Sequence, residues 1–424
     1  MWRRFGAGLA GLGGAAYAAR WQRVRAENAP IETYGSADEQ PGGEMELMMV
    51  HVVCRHGART PLGTMLGGSD CGTEWALCNP KTKKDLLAEV SIEGVNGDPP
   101  GHVHNMDATK EPLRGGCMPG ELTELGCQQM QELGEKLRKS YMEEFKLLSD
   151  SFNDREVLVR ASYQERAVQS AQSLLSGLFP TGQRPEKIPV HVMPMKKETI
   201  IPNTNQCPRL RKMFGEAKKA WRANDETEEV RAHVGLILGE ELYTPVIHFY
   251  DSFVGRHAHG LKLPEGVSPK LIDEVSRLAV WEVAQLFKDR HALKLSIAPL
   301  WQEIFSTHKQ VLNGEEKDRK LVIYSGHDTT LMPMLESLGV FDGKWPRFAA
   351  NVIVELLREK GSGKAHVRVL YNHKPMAIPG CDDKILCEYD RFMEAVGEAG
   401  SELKKEDCAD DEKIPDVRVG AAFN

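Results

Sequence analysis

Apolar and polar positions along this chain follow two periods. EMELMMVHVVC (44–54) is a nearly unbroken apolar, β-branched run of strand length and predicts a buried strand. EVLVR (156–160), IPVHVMP (188–194) and KLVIYSG (320–326) predict further strands. Helical spacing lies between them. From Thr123 onward, Leu125, Met130, Leu133, Leu137 and Tyr141 share one stripe. A second helix is expected over 163–178, stopping before Pro180. Strands alternating with helices predict an α/β fold with a mostly parallel central sheet flanked by helices. ANVIVELL (350–357) and AHVRVLY (365–371) predict an added hairpin.

Other stretches set the organisation. Residues 62–120 hold no sustained period, and a loop of that length is more often functional than idle. Residues 196–312 turn helical. Ser268-Pro269 is a helix start with Leu271, Val275, Leu278 and Ala279 on its inner face, and Ile297, Leu300, Trp301, Ile304, Phe305 and His308 follow a 3–4 spacing. The expected division is an α/β core from 44–195 and 313–395, a mainly helical cap inserted over 196–312, and an acidic tail at 400–424. The last cap helix is expected to lie on the sheet. After KLVIYSG, a short helix carries Leu331, Met334, Leu335 and Leu338; Pro333 demands that it start late.

Composition narrows the function. Of 424 residues, 54 are basic and 61 acidic, a net charge of -7, which disfavours a nucleic-acid binder. No apolar run reaches the length of a membrane span. Residues 1–30 differ from the body: five arginines stand against the single acid Glu27 around a small, mildly apolar stretch (6–19). This reads as a mitochondrial transit peptide; the second arginine cluster argues against the rival, a secretory signal. The nine cysteines are odd in number, so at least one is free or pairs between chains, and none forms a zinc spacing with histidine. Cys381 and Cys387 are close enough to bridge, or to lie buried as thiols.

Candidate chemistry sits where strands end, the usual ligand position of open α/β sheets. Arg55-His56-Gly57-Ala58-Arg59-Thr60-Pro61 follows the first strand. Two guanidiniums offer planar forks for phosphate, and their charge biases His56 toward the neutral, nucleophilic imidazole. Gly57 allows close backbone approach. Gly326-His327-Asp328 follows another strand: the carboxyl suits protonation of a leaving alkoxide, although Asp328 also stands where an N-cap belongs. Arg160, ending EVLVR, offers a third guanidinium for a phosphoryl group.

RHGxRxP early, an arginine closing a middle strand and a late His-Asp pair resemble the histidine acid phosphatases, over residues 46–395. GELTELGCQQMQELGEKLR (120–138), GLFP (177–180) and GHDTTLMPMLESLGVFDGKWPRFA (326–349) extend the likeness; the last is similar to a mitochondrial branch acting on lysophosphatidic acid. The resemblance implies a phosphoglycerate-mutase-like fold and a metal-independent acid phosphatase without cofactor. It implies His56 as the nucleophile that becomes phosphohistidine, Asp328 as proton donor, and Arg55, Arg59, Arg160 and His327 as phosphate ligands. It implies a monomer whose partner is a small phosphomonoester, a lysophospholipid such as lysophosphatidic acid, cleaved to monoacylglycerol and phosphate. Sugar, inositol or protein phosphomonoesters are the alternatives, and a non-catalytic lipid-phosphate binder a remoter one. Mutase-like enzymes usually carry a glutamate soon after the glycine, where this chain has Ala58. The family usually reads R-S-T-[DN] where this chain has Arg160-Ala161-Ser162-Tyr163, which puts the local pocket shape in question, and GQLT where it has Gly120-Glu121-Leu122-Thr123. Leu62, Met65 and Leu66, just past the motif, are candidates to meet an acyl chain or to be core.

Overall fold

The alternating runs do become one sheet. The computed structural model describes residues 44–63, 73–104, 111–238 and 245–409. In chain order it contains β1 (Met45–Arg55), α1 (Pro80–Leu86), β2 (Val90–Glu93), α2 (Glu124–Arg138), β3 (Val157–Ala161), α3 (Glu165–Leu178) and β4 (Ile188–Val192). Five helices follow: α4 (Pro208–Arg222), α5 (Asp225–Leu238), α6 (Val246–Ala258), α7 (Pro269–Lys288) and α8 (Arg290–Leu312). Then come β5 (Leu321–Gly326), α9 (Asp328–Ser337), β6 (Asn351–Glu359), β7 (Ala365–Tyr371), β8 (Lys374–Pro375), β9 (Leu386–Glu388) and α10 (Tyr389–Val396). The leader, Met65, Leu66 and residues 410–424 of the tail lie outside the described residues.

The sheet runs β2-β4-β3-β5-β1-β6-β7-β8, with β9 also on β7. The half from β2 to β1 is parallel. The half from β6 onward is antiparallel and grows from the expected hairpin. Both faces are covered, which explains why β1 reads as a continuous apolar run. Val50, Val52 and Cys54 point toward α2 and α3, whereas Met49 and Val53 point toward α8, whose Ile297, Leu300, Trp301 and Ile304 lie in the same core. The last helix of the 196–312 stretch therefore does lie on the sheet.

Three local expectations need correction. The 62–120 stretch is not all loop: it holds α1 and the edge strand β2, too short to show a period. Helix α9 begins at Asp328, so Pro333 sits sixth in it rather than near its start. A proline there forfeits a hydrogen bond; burial of Leu331, Met334 and Leu335 holds the helix together regardless. Asp328 is the first helical residue, not the cap. His327 is the N-cap, and its backbone N–H donates to Thr330 Oγ1 at 3.1 Å. Cys381 and Cys387 do bridge, as do Cys78–Cys117 and Cys207–Cys408; Cys54 and Cys127 are buried and free.

Candidate active site

Three neighbouring parallel strands stop at one level, and register makes the site. Arg55 pairs with Gly326 across β1 and β5, and Ala161 pairs with Ser325 across β3 and β5. The next residue of each strand is thus His56, His327 and Ser162. The ladder continues one step, since His56 N–H donates to Gly326 O at 3.0 Å and Ser162 N–H to Ser325 O at 3.0 Å. The His56 and His327 rings lie 5.4 Å apart between centroids, and Ser162 Oγ is 2.6 Å from His327 Nε2.

His56 Nδ1 lies 2.9 Å from Gly57 O. A carbonyl can only accept, so Nδ1 carries the proton and Nε2 keeps its lone pair. Burial, then the charges of Arg166, Arg55, Arg59 and His327, hold the imidazole well below its ordinary pKa. A neutral ring with a bare Nε2 is a nucleophile. Its loop is seated by backbone contact. A Cβ on Gly57 would stand 2.2 Å from Gly126 O, and one on Gly126 would stand 2.1 Å from Ala58 O. Only hydrogen fits at either position, so the loop lies directly on the first turn of α2. The Gly57 N–H donates to Ser170 Oγ of α3 at 3.1 Å.

Arg55 and Arg59 are buried and each holds a carboxylate. Arg55 meets Asp328 Oδ2 at 2.9 Å, and Arg59 meets Asp251 Oδ1 at 2.8 Å. Arg55 also donates to Pro346 O at 2.5 Å and lies over the Phe348 ring at 4.4 Å. Trp345 Nε1–H donates to Asp328 Oδ2 at 3.0 Å. Burial alone would raise the Asp328 pKa; the charges of Arg55 and Arg59, with the Trp345 hydrogen bond, outweigh it and hold the carboxyl below the usual range. His327 is held well below its ordinary pKa by burial and Arg166, against the opposing pull of Asp328.

The third guanidinium is not the expected one. Arg160 sits on the α8 side of β3, 5.8 Å from the Tyr324 ring centroid, and is committed to Glu198, Glu303 and Thr199. It is not among the leading charges that act on His56. Arg166 of α3 leads those charges instead. Strand periodicity explains the difference: Val157, Val159 and Ala161 face α3, so Arg160 must face the other way. Arg166 is a cation at a buried helix position, 6% exposed, one turn before Ser170, and that burial is visible only in the folded chain. Sequence reasoning also missed Ser162, Tyr250, Asp251 and Trp345. Tyr163 lies buried beside His104, ring centroids 5.6 Å apart, and does not line the cavity.

Arg55, Arg59 and Asp328 open onto a cavity of about 270 Å³. Leu62, Trp221, Pro245, Ile247, Val254 and Trp345 give it apolar walls, and Lys218, Arg222, Arg231 and Glu282 give it charge. Elsewhere, Cys78, Cys117 and Glu121 bring ligating atoms together, but the two sulfurs are bonded to each other, which removes them as metal ligands. No helix among the described residues is long and apolar enough to cross a membrane.

The chain is similar to known proteins. The histidine phosphatase superfamily (branch 2) matches residues 46–236 and 285–372. The chain is 32% identical over 370 residues to lysophosphatidic acid phosphatase type 6 of Mus musculus, covering 83% of this chain and 85% of that one. The Bos taurus protein of that name is 30% identical over 380 residues, with coverage of 85% and 86%. Prostatic acid phosphatase of Homo sapiens is 27% identical, covering 68% of this chain and 79% of its own. The apo phytase of Hafnia alvei superposes with a TM-score of 0.58 at 15% identity, covering 87% of this chain and 99% of that one, a likeness of fold alone. With the family matched over more than half its length, this chain belongs to the histidine phosphatase superfamily, branch 2.

Proposed function

We propose that this phosphomonoester hydrolase cleaves lysophosphatidic acid to monoacylglycerol and phosphate through a phosphohistidine. The observation that carries the chemistry is the bare His56 Nε2 among the charges of Arg166, Arg55 and Arg59, with Asp328 paired to that same Arg55. Nε2 attacks phosphorus, the P–O bond to the glycerol carbon's oxygen breaks, and Asp328 gives that oxygen a proton. Water then gives a proton to Asp328 and attacks phosphorus, the P–N bond to Nε2 breaks, and inorganic phosphate leaves with the neutral ring restored. Arg55, Arg59, Arg166 and His327 bind the phosphoryl oxygens; Arg160 braces the sheet end. Asp328 is an anion paired with Arg55. A phosphate group that takes over the Arg55 fork removes that partner and adds negative charge, so the carboxyl gains a proton most readily at acid pH.

Support for a lipid substrate comes from the apolar share of the cavity wall, Leu62 included, and from the relatives named lysophosphatidic acid phosphatase. Lys218, Arg222 and Arg231 favour a second reading, a more highly charged sugar or inositol phosphate. A panel of lysophosphatidic acid, phosphatidic acid, inositol phosphates and phosphotyrosine separates the two, and turnover confined to inositol phosphates refutes the lipid reading. A base-stable, acid-labile phosphoprotein that disappears with all turnover in His56→Ala supports the intermediate; labelling that persists there refutes it.

The arginine-rich residues 1–30 support a mitochondrial destination, which we also propose. Three disulfides need an oxidising space, and so narrow that destination to a site outside the matrix.

A further inference from the structure

We propose that Asp251 is a specificity-determining residue that turns away substrates carrying a second anionic group beside the reacting phosphate; this rests on the phosphatase reading above. The family match stops at residue 236 and resumes at 285, so α6 lies outside it. Helix α6 nevertheless reaches the site at two points. Asp251 Oδ1 pairs with Arg59 at 2.8 Å, and Asp251 Oδ2 accepts the Leu62 N–H at 2.7 Å. One residue earlier, the Tyr250 ring packs on Trp345 with centroids 4.9 Å apart, and Trp345 holds Asp328.

Each oxygen of Asp251 is thus anchored, one by a guanidinium and one by a backbone amide. The carboxylate cannot swing aside when Arg59 takes up phosphate. It lines the cavity with its side chain 14% exposed, so its charge acts through little water. A phosphomonoester with neutral hydroxyls beside the phosphate meets a hydrogen-bond acceptor there. A substrate with a neighbouring phosphate or carboxylate meets a like charge instead. At the reduced dielectric of a part-buried site, such a contact opposes binding by on the order of tenfold or more.

The test compares kcat/KM for glycerol 3-phosphate, whose neighbouring carbon bears a hydroxyl, and 2,3-bisphosphoglycerate, whose neighbouring carbon bears a phosphate. The wild-type chain is expected to prefer the first. Asp251→Asn is expected to shift the ratio toward the bisphosphate by about tenfold, mainly through KM, while Asp251→Glu, which keeps the charge, holds the wild-type ratio. A ratio that stays put in Asp251→Asn while both rates fall together makes Asp251 a mere tether and overturns the proposal. Calorimetric binding of inorganic phosphate against pyrophosphate reads the same discrimination without turnover. A chain that hydrolyses nothing overturns the phosphatase reading alone. A phosphate-over-pyrophosphate preference unchanged by Asp251→Asn overturns this one. Should Asp251→Asn not fold, the wild-type chain decides: pyrophosphate bound more tightly than phosphate refutes the screen.

Discussion

The core contains a histidine whose replacement should widen the pH range of the fold. His308 of α8 is fully buried and lies 5.0 Å, centroid to centroid, from the equally buried His51 of β1. Neither nitrogen of either ring has a hydrogen-bond partner. Burial pushes the His308 pKa down from 6.5 to about 3, and burial plus His308 holds His51 well below its ordinary value. In the unfolded chain both rings titrate near 6.5. Below that pH the unfolded chain takes up protons that the folded chain refuses. The folded state therefore keeps its full advantage above about pH 6.5 and loses it as the pH falls toward about 3. For His308 alone the loss approaches about 1.4 kcal/mol per pH unit, or roughly 2.3 kcal/mol between pH 6.5 and pH 4.5. His308→Leu removes this term and exchanges an unsatisfied ring for an apolar side chain of similar size. The assay is urea unfolding at pH 7.5 and pH 4.5. Wild type should lose at least about 2 kcal/mol more than the variant between the two conditions. Equal losses in both proteins would show that the pair is neutralised some other way, and the reasoning would fail.

Other expectations concern the site. Asp328→Ala should slow an alkyl phosphate by on the order of a thousandfold and an activated aryl phosphate far less, because only the alkoxide needs a proton; equal losses in steady-state rates would remove Asp328 as donor. Arg166→Ala and Arg160→Ala should part company. The first should lower kcat/KM by on the order of a hundredfold with the melting temperature near wild type. The second should leave Glu198 buried and unpaired and cost about 3 kcal/mol or more of stability, read by urea unfolding. An Arg166→Ala protein of normal activity would return the third phosphate contact to some other residue.

The sequence made the strands, the two end motifs and the helical character of 196–312 legible for one physical reason. Buried parallel strands leave unbroken apolar runs, and each motif directly follows such a run. Arg160 was misassigned because proximity to a strand end says nothing about which face a side chain takes; parity with Val157 and Val159 did. Arg166 needed the phase of α3, which only packing against the Gly57 loop reveals. Asp251, Tyr250 and Trp345 were out of reach, since they come from segments some 190 to 290 residues beyond the nucleophile and meet it only in three dimensions. Pro333 misled in the opposite direction: local propensity spoke against a helix that tertiary burial sustains.

The glycine-on-glycine seat under the nucleophile tells a protein engineer where to work. Positions 57 and 126 admit no methyl, so the reacting ring hangs from two main chains pressed together, with no side chain between them to retune. Variation aimed at a new substrate is wasted on that loop and belongs on the α6 residues that line the cavity, such as Ile247 and Val254, where a changed side chain reshapes the chamber and leaves the attacking nitrogen in place.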